Sequence, residues 1–334
     1  MQSTSWKALS IRVILFIVLM ILLDIGLGKV LKYNYLKING GATKACTYVV
    51  NEAKDDVFIL GSSRASHHYK SSLIQDSLHL TCFNAGRDGE GIFYSYAVLK
   101  CILARTTPKL ILLDLTTDEF AEDENDYSKL SFLTPYYDTH PEMQPILNLR
   151  SNYEWVKVKS SLYQYNSTII KIIGDRLRPS AAEKTELGYM PLFKEYKGTL
   201  EMADNPKSRL PLDTLKINCL KSLIRDVKKV GCKLVVITSP VYLDMSNCPK
   251  SMEVAKNICA QEQVPYINNS QLQAFMRDPS IYADQYHLND QGAGIMTNMV
   301  IGEIKPLLSG QATYIIDRNL QTSALNKKDT LSRL

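Results

Sequence analysis

The sequence predicts a three-layer α/β/α fold with a mostly parallel sheet, preceded by a transmembrane helix and carrying one long insertion after the third strand. Three observations predict it. Short apolar runs lack polar alternation and stop at turn residues, as strands buried on both faces do. Helix-like patterns separate them, and alternating β and α elements imply a parallel sheet covered on both sides. The first thirty residues are far more apolar than the rest of the 334-residue chain.

The strand runs are "VFIL" ending at Gly61, "LTCFNAG" ending at Gly86, "KLILLDL" before Thr116, "KLVVITSP" ending at Pro240, and "VPYINN" from Val264. Between them lie "SSLIQDSLHL", "GIFYSYAVLKCILAR", "LDTLKINCLKSLIRDVKKVG" and "SMEVAKNICAQEQ", the third followed by Gly231 at a natural C-cap position. The segment at about 121–211 breaks the rhythm. It is rich in Tyr and polar residues, with a helical latter half and an irregular first half. Insertions of this kind often serve as lids or recruit substrate. Its tyrosines, among them Tyr136, Tyr137, Tyr163 and Tyr165, serve packing or supply a sugar-stacking platform.

"ALSIRVILFIVLMILLDIGLGKVL" holds an unbroken apolar run from Val13 to Leu23, and Leu9 to Leu27 approaches the roughly 20 residues a bilayer span needs. Arg12 lies near one end, where it can snorkel, and Asp24 near the other. The alternatives are an uncleaved anchor and a signal peptide cut after Gly26 or Gly28; no A-x-A-like site is present, which favours the anchor. Lysines flank both ends, so charge alone does not set the orientation. The expected organisation is a cytoplasmic N-terminus over 1–8, an anchor over 9–29, a tether over 30–54, a domain over 55–316 outside the cytoplasm, and a polar tail over 317–334.

A net charge of +5, with no dense Lys/Arg stripe, makes nucleic acid an unlikely partner. Seven cysteines form no C-x-x-C pair, so no zinc ribbon or thioredoxin site is expected, and no metal. Cys82, Cys101, Cys219 and Cys232 read as core residues, while Cys248 and Cys259 flank a short helix and could pair if oxidised. "GRDGEG" has the order G-x-x-G-x-G and follows the second strand, which argues against a dinucleotide loop.

Two stretches point to chemistry. "VFILGSSRASHHY" puts two serines just beyond the first strand, and "YADQYHLNDQGAG" puts Asp284 three residues before His287 after the last predicted strand. A catalytic histidine needs a carboxylate to fix its tautomer and a hydroxyl to deprotonate. Both stretches fall at the carboxyl edge of one parallel sheet, where open α/β folds bind ligands. Of the other histidines, the adjacent His67 and His68 diverge on a helix and read as one packed and one solvated. Arg64 reads as a surface charge, or as a group for an anionic part of a substrate if it faces the cleft.

These residues resemble the SGNH (GDSL-type) hydrolases. "GSS", Gly61 to Ser63, is similar to that family's nucleophile block, with Ser62 at the usual Asp position and Ser63 as nucleophile. "NAGRDG" resembles the second block, which makes Gly89 a backbone donor to the oxyanion beside the N–H of Ser63. "DQYHLND" resembles the last block and gives Asp284 and His287. The likeness covers roughly 55–310, the insertion excepted. One block departs: where the family has G-x-N-D after the third strand, this chain has "TTDE", so Asp118 replaces the oxyanion-hole asparagine. An ionised carboxylate there would repel a developing oxyanion. The resemblance implies a cofactor-free serine esterase or O-acyltransferase, anchored in the inner membrane and acting on acyl groups of an envelope polysaccharide. In some relatives a membrane O-acyltransferase is the partner. The rival reading is a non-catalytic binding or assembly protein that keeps the fold, favoured by Asp118 and by the missing Asp before Ser63.

Overall fold

A computed structural model describes residues 6–177, 186–202, 210–245, 250–309 and 315–317. Six parallel strands form the central sheet in the order β2-β1-β3-β5-β7-β8: β1 Val57–Leu60, β2 Cys82–Asn84, β3 Leu110–Asp114, β5 Lys233–Thr238, β7 Tyr266–Asn268 and β8 Ile315–Asp317. β4 Glu201–Met202 and β6 Leu243–Asp244 pair separately beside it. Strand order reverses between β1 and β3, which opens a crevice at their carboxyl ends.

The strands are buried on both faces, and alternate residues feed separate cores. Phe58, Leu60, Ile111, Leu113 and Val236 join one core. It is covered by helices α2 Gly41–Asn51, α5 Ile92–Arg105 and α11 Thr214–Lys229. Val57, Ile59, Leu112, Val235 and Ile237 face the other. There they meet α3 Ser63–His68, α4 Ser71–Leu78 and α14 Asp290–Leu308. The period-2 geometry of a strand makes this division, and the all-apolar runs follow from it. α12 Lys250–Gln261 and α13 Gln273–Met276 complete the outer layers.

Three parts differ from the sequence reading. The tether expected over 30–54 is instead the last turns of α1 (Trp6–Leu36) and the whole of α2, which buries Cys46, Val49 and Val50 on one face. "GATKACTYVVN" begins with Gly and carries Thr and β-branched residues of low helix propensity, so packing rather than propensity makes this helix. The insertion reverses the expectation: its helices, α6 Glu124–Lys129, α7 Gln144–Leu147, α8 Glu154–Lys157, α9 Ser161–Tyr165 and α10 Ile169–Leu177, crowd toward its start with 3-10 turns among them, and residues 186–202 hold no helix. Asp317, assigned to the tail, ends the sixth strand.

Tyr136, Tyr137, Tyr163 and Tyr165 pack. Tyr136 and Tyr165 each meet Tyr35 edge-on with ring centroids 5.8 Å apart, and all three are buried. Tyr137 is buried, and Tyr163 donates to Glu154. α1 is long and apolar enough to cross a membrane, with mean hydropathy 2.6 over its most apolar window and none of that window buried. The six described cysteines are buried free thiols, and Cys248 lies outside the described residues.

Candidate active site

The turn after β1 sets the site. Gly61 has φ +144°, and a Cβ there would lie 2.5 Å from the Asp114 carbonyl oxygen and 2.9 Å from the Ala65 Cβ, so only glycine fits. Ser62 is the N-cap residue of α3, and Ser63 is the first residue of that helix. Ser63 Oγ lies 2.7 Å from His287 Nε2. His287 Nδ1 lies 2.9 and 3.0 Å from the two Asp284 oxygens. A carboxylate only accepts, so Nδ1 carries the proton and Nε2 is left to accept from the serine. The N–H groups of Tyr286 and His287 also donate to Asp284 Oδ1. Partial burial favours protonation of Asp284, but these partners outweigh it and hold its pKa below the usual value.

Ser63, Gly89 and Asp118 line one pocket of about 170 Å³ at the β1/β3 crevice, together with Glu90, Thr116, Glu119, Asp126 and Lys129. Gly89 has φ +76°. The two loops that form the pocket are tied by Glu119, which accepts from the Thr116 N–H, the Thr116 hydroxyl and the Ile92 N–H at 3.1, 2.8 and 2.6 Å. Burial nevertheless raises the Glu119 pKa. Burial also pushes Glu90 up to about 7, against the opposing charges of Arg87 and Lys129. Asp126 shifts the other way, because Lys129 and Lys216 donate to it and overcome its burial. A larger cavity of about 330 Å³ opens at the opposite, amino-terminal edge of the sheet, among Leu110, Lys233, Val264 and Leu307, and is lined by no serine or histidine.

Arg64 does not face the cleft. Its guanidinium lies under the crevice, 3.6 Å from Asp114 and donating to the carbonyls of Leu115 and Ser239 at 2.6 and 3.2 Å. The first turn of α3 directs it inward, where carbonyls at the ends of β3 and β5 need donors. Tyr69 donates to Asp114 at 2.5 Å, so Arg64 belongs to a buried support.

Both neighbouring histidines are packed, against the expectation that one is solvated. His68 Nε2 accepts from the Leu288 N–H and its Nδ1 meets Ser239 Oγ, which fixes the backbone next to His287. Burial, then the nearby cationic groups, push its pKa well down, and it is neutral. His67 has oxygen acceptors at both ring nitrogens, the Met190 carbonyl at 2.6 Å and Asp88 at 3.1 Å. Only the doubly protonated ring satisfies both. Burial opposes that charge, but Asp88 outweighs it and the pKa is raised. Its ring stands edge-on to His287 at 5.4 Å. The His67–Asp88 pair and the carboxylates Glu90, Glu119 and Asp126 went unmarked in the sequence; "DGEG" after the second strand and the acidic "TTDEFAEDEND" after the third were the available signal.

Among the described residues, Cys101, His140 and Glu142 have metal-ligand spacing. Arg105 donates to the Cys101 carbonyl beside them, a like charge that disfavours a divalent ion.

No family model matches this chain, and no curated protein matches it. Two solved structures share its outline. One, from Bacteroides fragilis, is described as "a putative acylhydrolase"; it is 10% identical with a TM-score of 0.42, covering 81% of this chain and 99% of its own. The other, TesA, is 14% identical with a TM-score of 0.37, covering 75% and 98%. Both likenesses are remote. Neither a family model nor a curated relative fixes what this chain does.

Proposed function

We propose that this protein is an SGNH-type serine ester hydrolase or O-acyltransferase, held in the inner membrane by α1 with its globular part outside the cytoplasm, acting on short acyl groups of an envelope polysaccharide. The observation that carries the reading is the hydrogen-bonded series Ser63–His287–Asp284 at the mouth of a pocket that also holds Gly89. Ser63 Oγ attacks the ester carbonyl as His287 Nε2 takes its proton, and Asp284 stabilises the imidazolium. The oxyanion is placed against the N–H groups of Ser63 and Gly89. Collapse of the tetrahedral intermediate expels the alcohol, which takes the proton from His287, and leaves an acyl-Ser63 ester. Water, or a sugar hydroxyl, then attacks that ester with His287 as base and regenerates Ser63.

Pocket size supports a short acyl group. At about 170 Å³ it is smaller than the roughly 300–1,000 Å³ of sites for drug-sized ligands. Its lining is polar, which suits hydroxyl-bearing substrates rather than fatty chains.

The second reading, a catalytically weak fold-keeping component of surface-polymer modification, is favoured by Asp118 in the pocket wall and Ser62 before the nucleophile. Turnover separates the two. The full chain in detergent should hydrolyse acetyl esters and leave long-chain esters nearly untouched. No turnover of any ester, with the fold intact by circular dichroism, would favour the second reading.

A further inference from the structure

The insertion docks on α1 at the end of its apolar run. Ser160 Oγ and the N–H groups of Ser161 and Leu162 donate to Asp24 at 2.6, 2.7 and 3.1 Å, so the charge inside the apolar helix caps the start of α9. The approach is close: a Cβ on Gly28 would lie 2.2 Å from the Ser161 Cβ. Farther along, Tyr165 packs on Tyr35, so α9 runs away from the apolar run as the chain advances.

This register fixes a depth. Asp24 stands three residues before Leu27, about 5 Å inside the apolar limit at 1.5 Å per residue. The segment leading into α9 folds back beside it, with Glu154 accepting from Tyr163 and the Val158 carbonyl accepting from Gln164. It exposes Tyr153, Trp155 and Val156, at 69%, 58% and 46%. α10 approaches α1 higher, where Arg176 Nε donates to Asn34, about 10 Å beyond Leu27 and at the outer margin of the headgroups. One face of α10 exposes Ile170, Ile173 and Leu177. Lys157 at the end of α8, Lys159 after it, and Lys29 and Lys32 on α1 are exposed and available to lipid phosphates.

We propose that these six apolar residues lie in the face of the bilayer that α1 crosses, making the insertion a second, interfacial membrane contact. This rests on α1 being a membrane span. Trp and Tyr at the headgroup boundary with Lys around them are the side chains such an interface favours. Two contacts, one spanning and one flat, hold the globular part at a fixed tilt, so the crevice meets its substrate at a set height above the lipid.

The chain has two tryptophans, Trp6 and Trp155, so Trp6→Phe leaves Trp155 as the single reporter. The full-length variant is reconstituted in phosphatidylcholine/phosphatidylglycerol liposomes whose acyl chains are brominated near the headgroup or near the tail end. Flotation of the proteoliposomes reads the anchor. Trp155 emission should be blue-shifted, lose its larger part with the shallow bromines, and lose little with the deep ones. Flotation with unquenched Trp155 overturns the inference and leaves the anchor standing; it is also the result if a second copy or another protein covers the patch. Failure to float removes the anchor reading and this one with it.

Discussion

The Ser63 wall of the site, with His287 and Asp284 behind it, and the wall that carries Asp118 hold their charge differently. On the first, every polar group has assigned partners: Ser63 with His287, His287 with Asp284, and Asp284 with two backbone N–H groups as well. On the second, four acidic side chains, Glu90, Asp118, Glu119 and Asp126, stand around one lysine, Lys129. Burial holds Glu90 and Glu119 toward the neutral form, whereas Asp126 is kept ionised by two lysines. The first wall is a proton-transfer relay of the kind acyl transfer requires. In the proposed function the second sets which group the relay acts on and how well an oxyanion is tolerated. Conventional catalytic parts therefore face an unconventional, acid-lined pocket.

The comparison breaks most severely at the relay. His287→Ala should cut ester turnover by about 10⁴- to 10⁶-fold, and Asp284→Asn by about 10⁴-fold, because relay members act as a unit. Steady-state rates on an acetyl ester test this. Losses under tenfold for both would mean the hydrogen-bonded series is structural.

On the opposite wall the sign reverses. Asp118→Asn supplies a donor in place of a carboxylate, and removing one oxyanion donor typically costs about 2.7–4 kcal/mol. Hydrolysis of a small acetyl ester should rise, by up to about tenfold given that the backbone donors are already present. If hydrolysis falls instead, Asp118 has a positive role, such as holding an acceptor hydroxyl. A rise with the small ester and a loss of transfer to polymer would mark a transferase.

The smallest effect is on stability. Glu90 titrates at about 7 in the folded protein against an ordinary 4.5, raised chiefly by burial. Its contribution is fully present below the unfolded value and is lost as pH rises through about 7, since the folded chain must then bury a charge that the unfolded chain solvates. Between about pH 5 and about pH 8 the wild type should lose more stability than Glu90→Gln, by on the order of 1–3 kcal/mol. Denaturant melts of both proteins at the two pH values read this, and parallel pH dependence would remove Glu90 from the account.

The sequence carried the strands because burial on both faces leaves unmixed apolar runs, and it carried the relay because Asp284 and His287 need only local spacing. β8 was invisible, since three residues show no pattern and its pairing with β7 is long-range. Helices α6 to α9 of the insertion, four to six residues each, are too short to display a 3.6-residue period. The inward turn of Arg64 and the packing of both His67 and His68 were hidden for a related reason. Which way a side chain points in a six-residue helix is decided by what covers it, here the ends of β3 and β5 and the Met190 carbonyl. The paired carboxylates of the second wall come from loops far apart in sequence, and only the fold brings them to one pocket.

The central claim is that Ser63 is the acylated atom-bearer of a working relay. A fluorophosphonate probe with peptide mass spectrometry tests it on the full-length protein. The probe should modify Ser63 in the wild type, modify it equally in Ser62→Ala, and leave Ser63→Ala and His287→Ala unlabelled. Labelling that persists in Ser63→Ala, or that is lost in Ser62→Ala with the fold intact, would contradict the account.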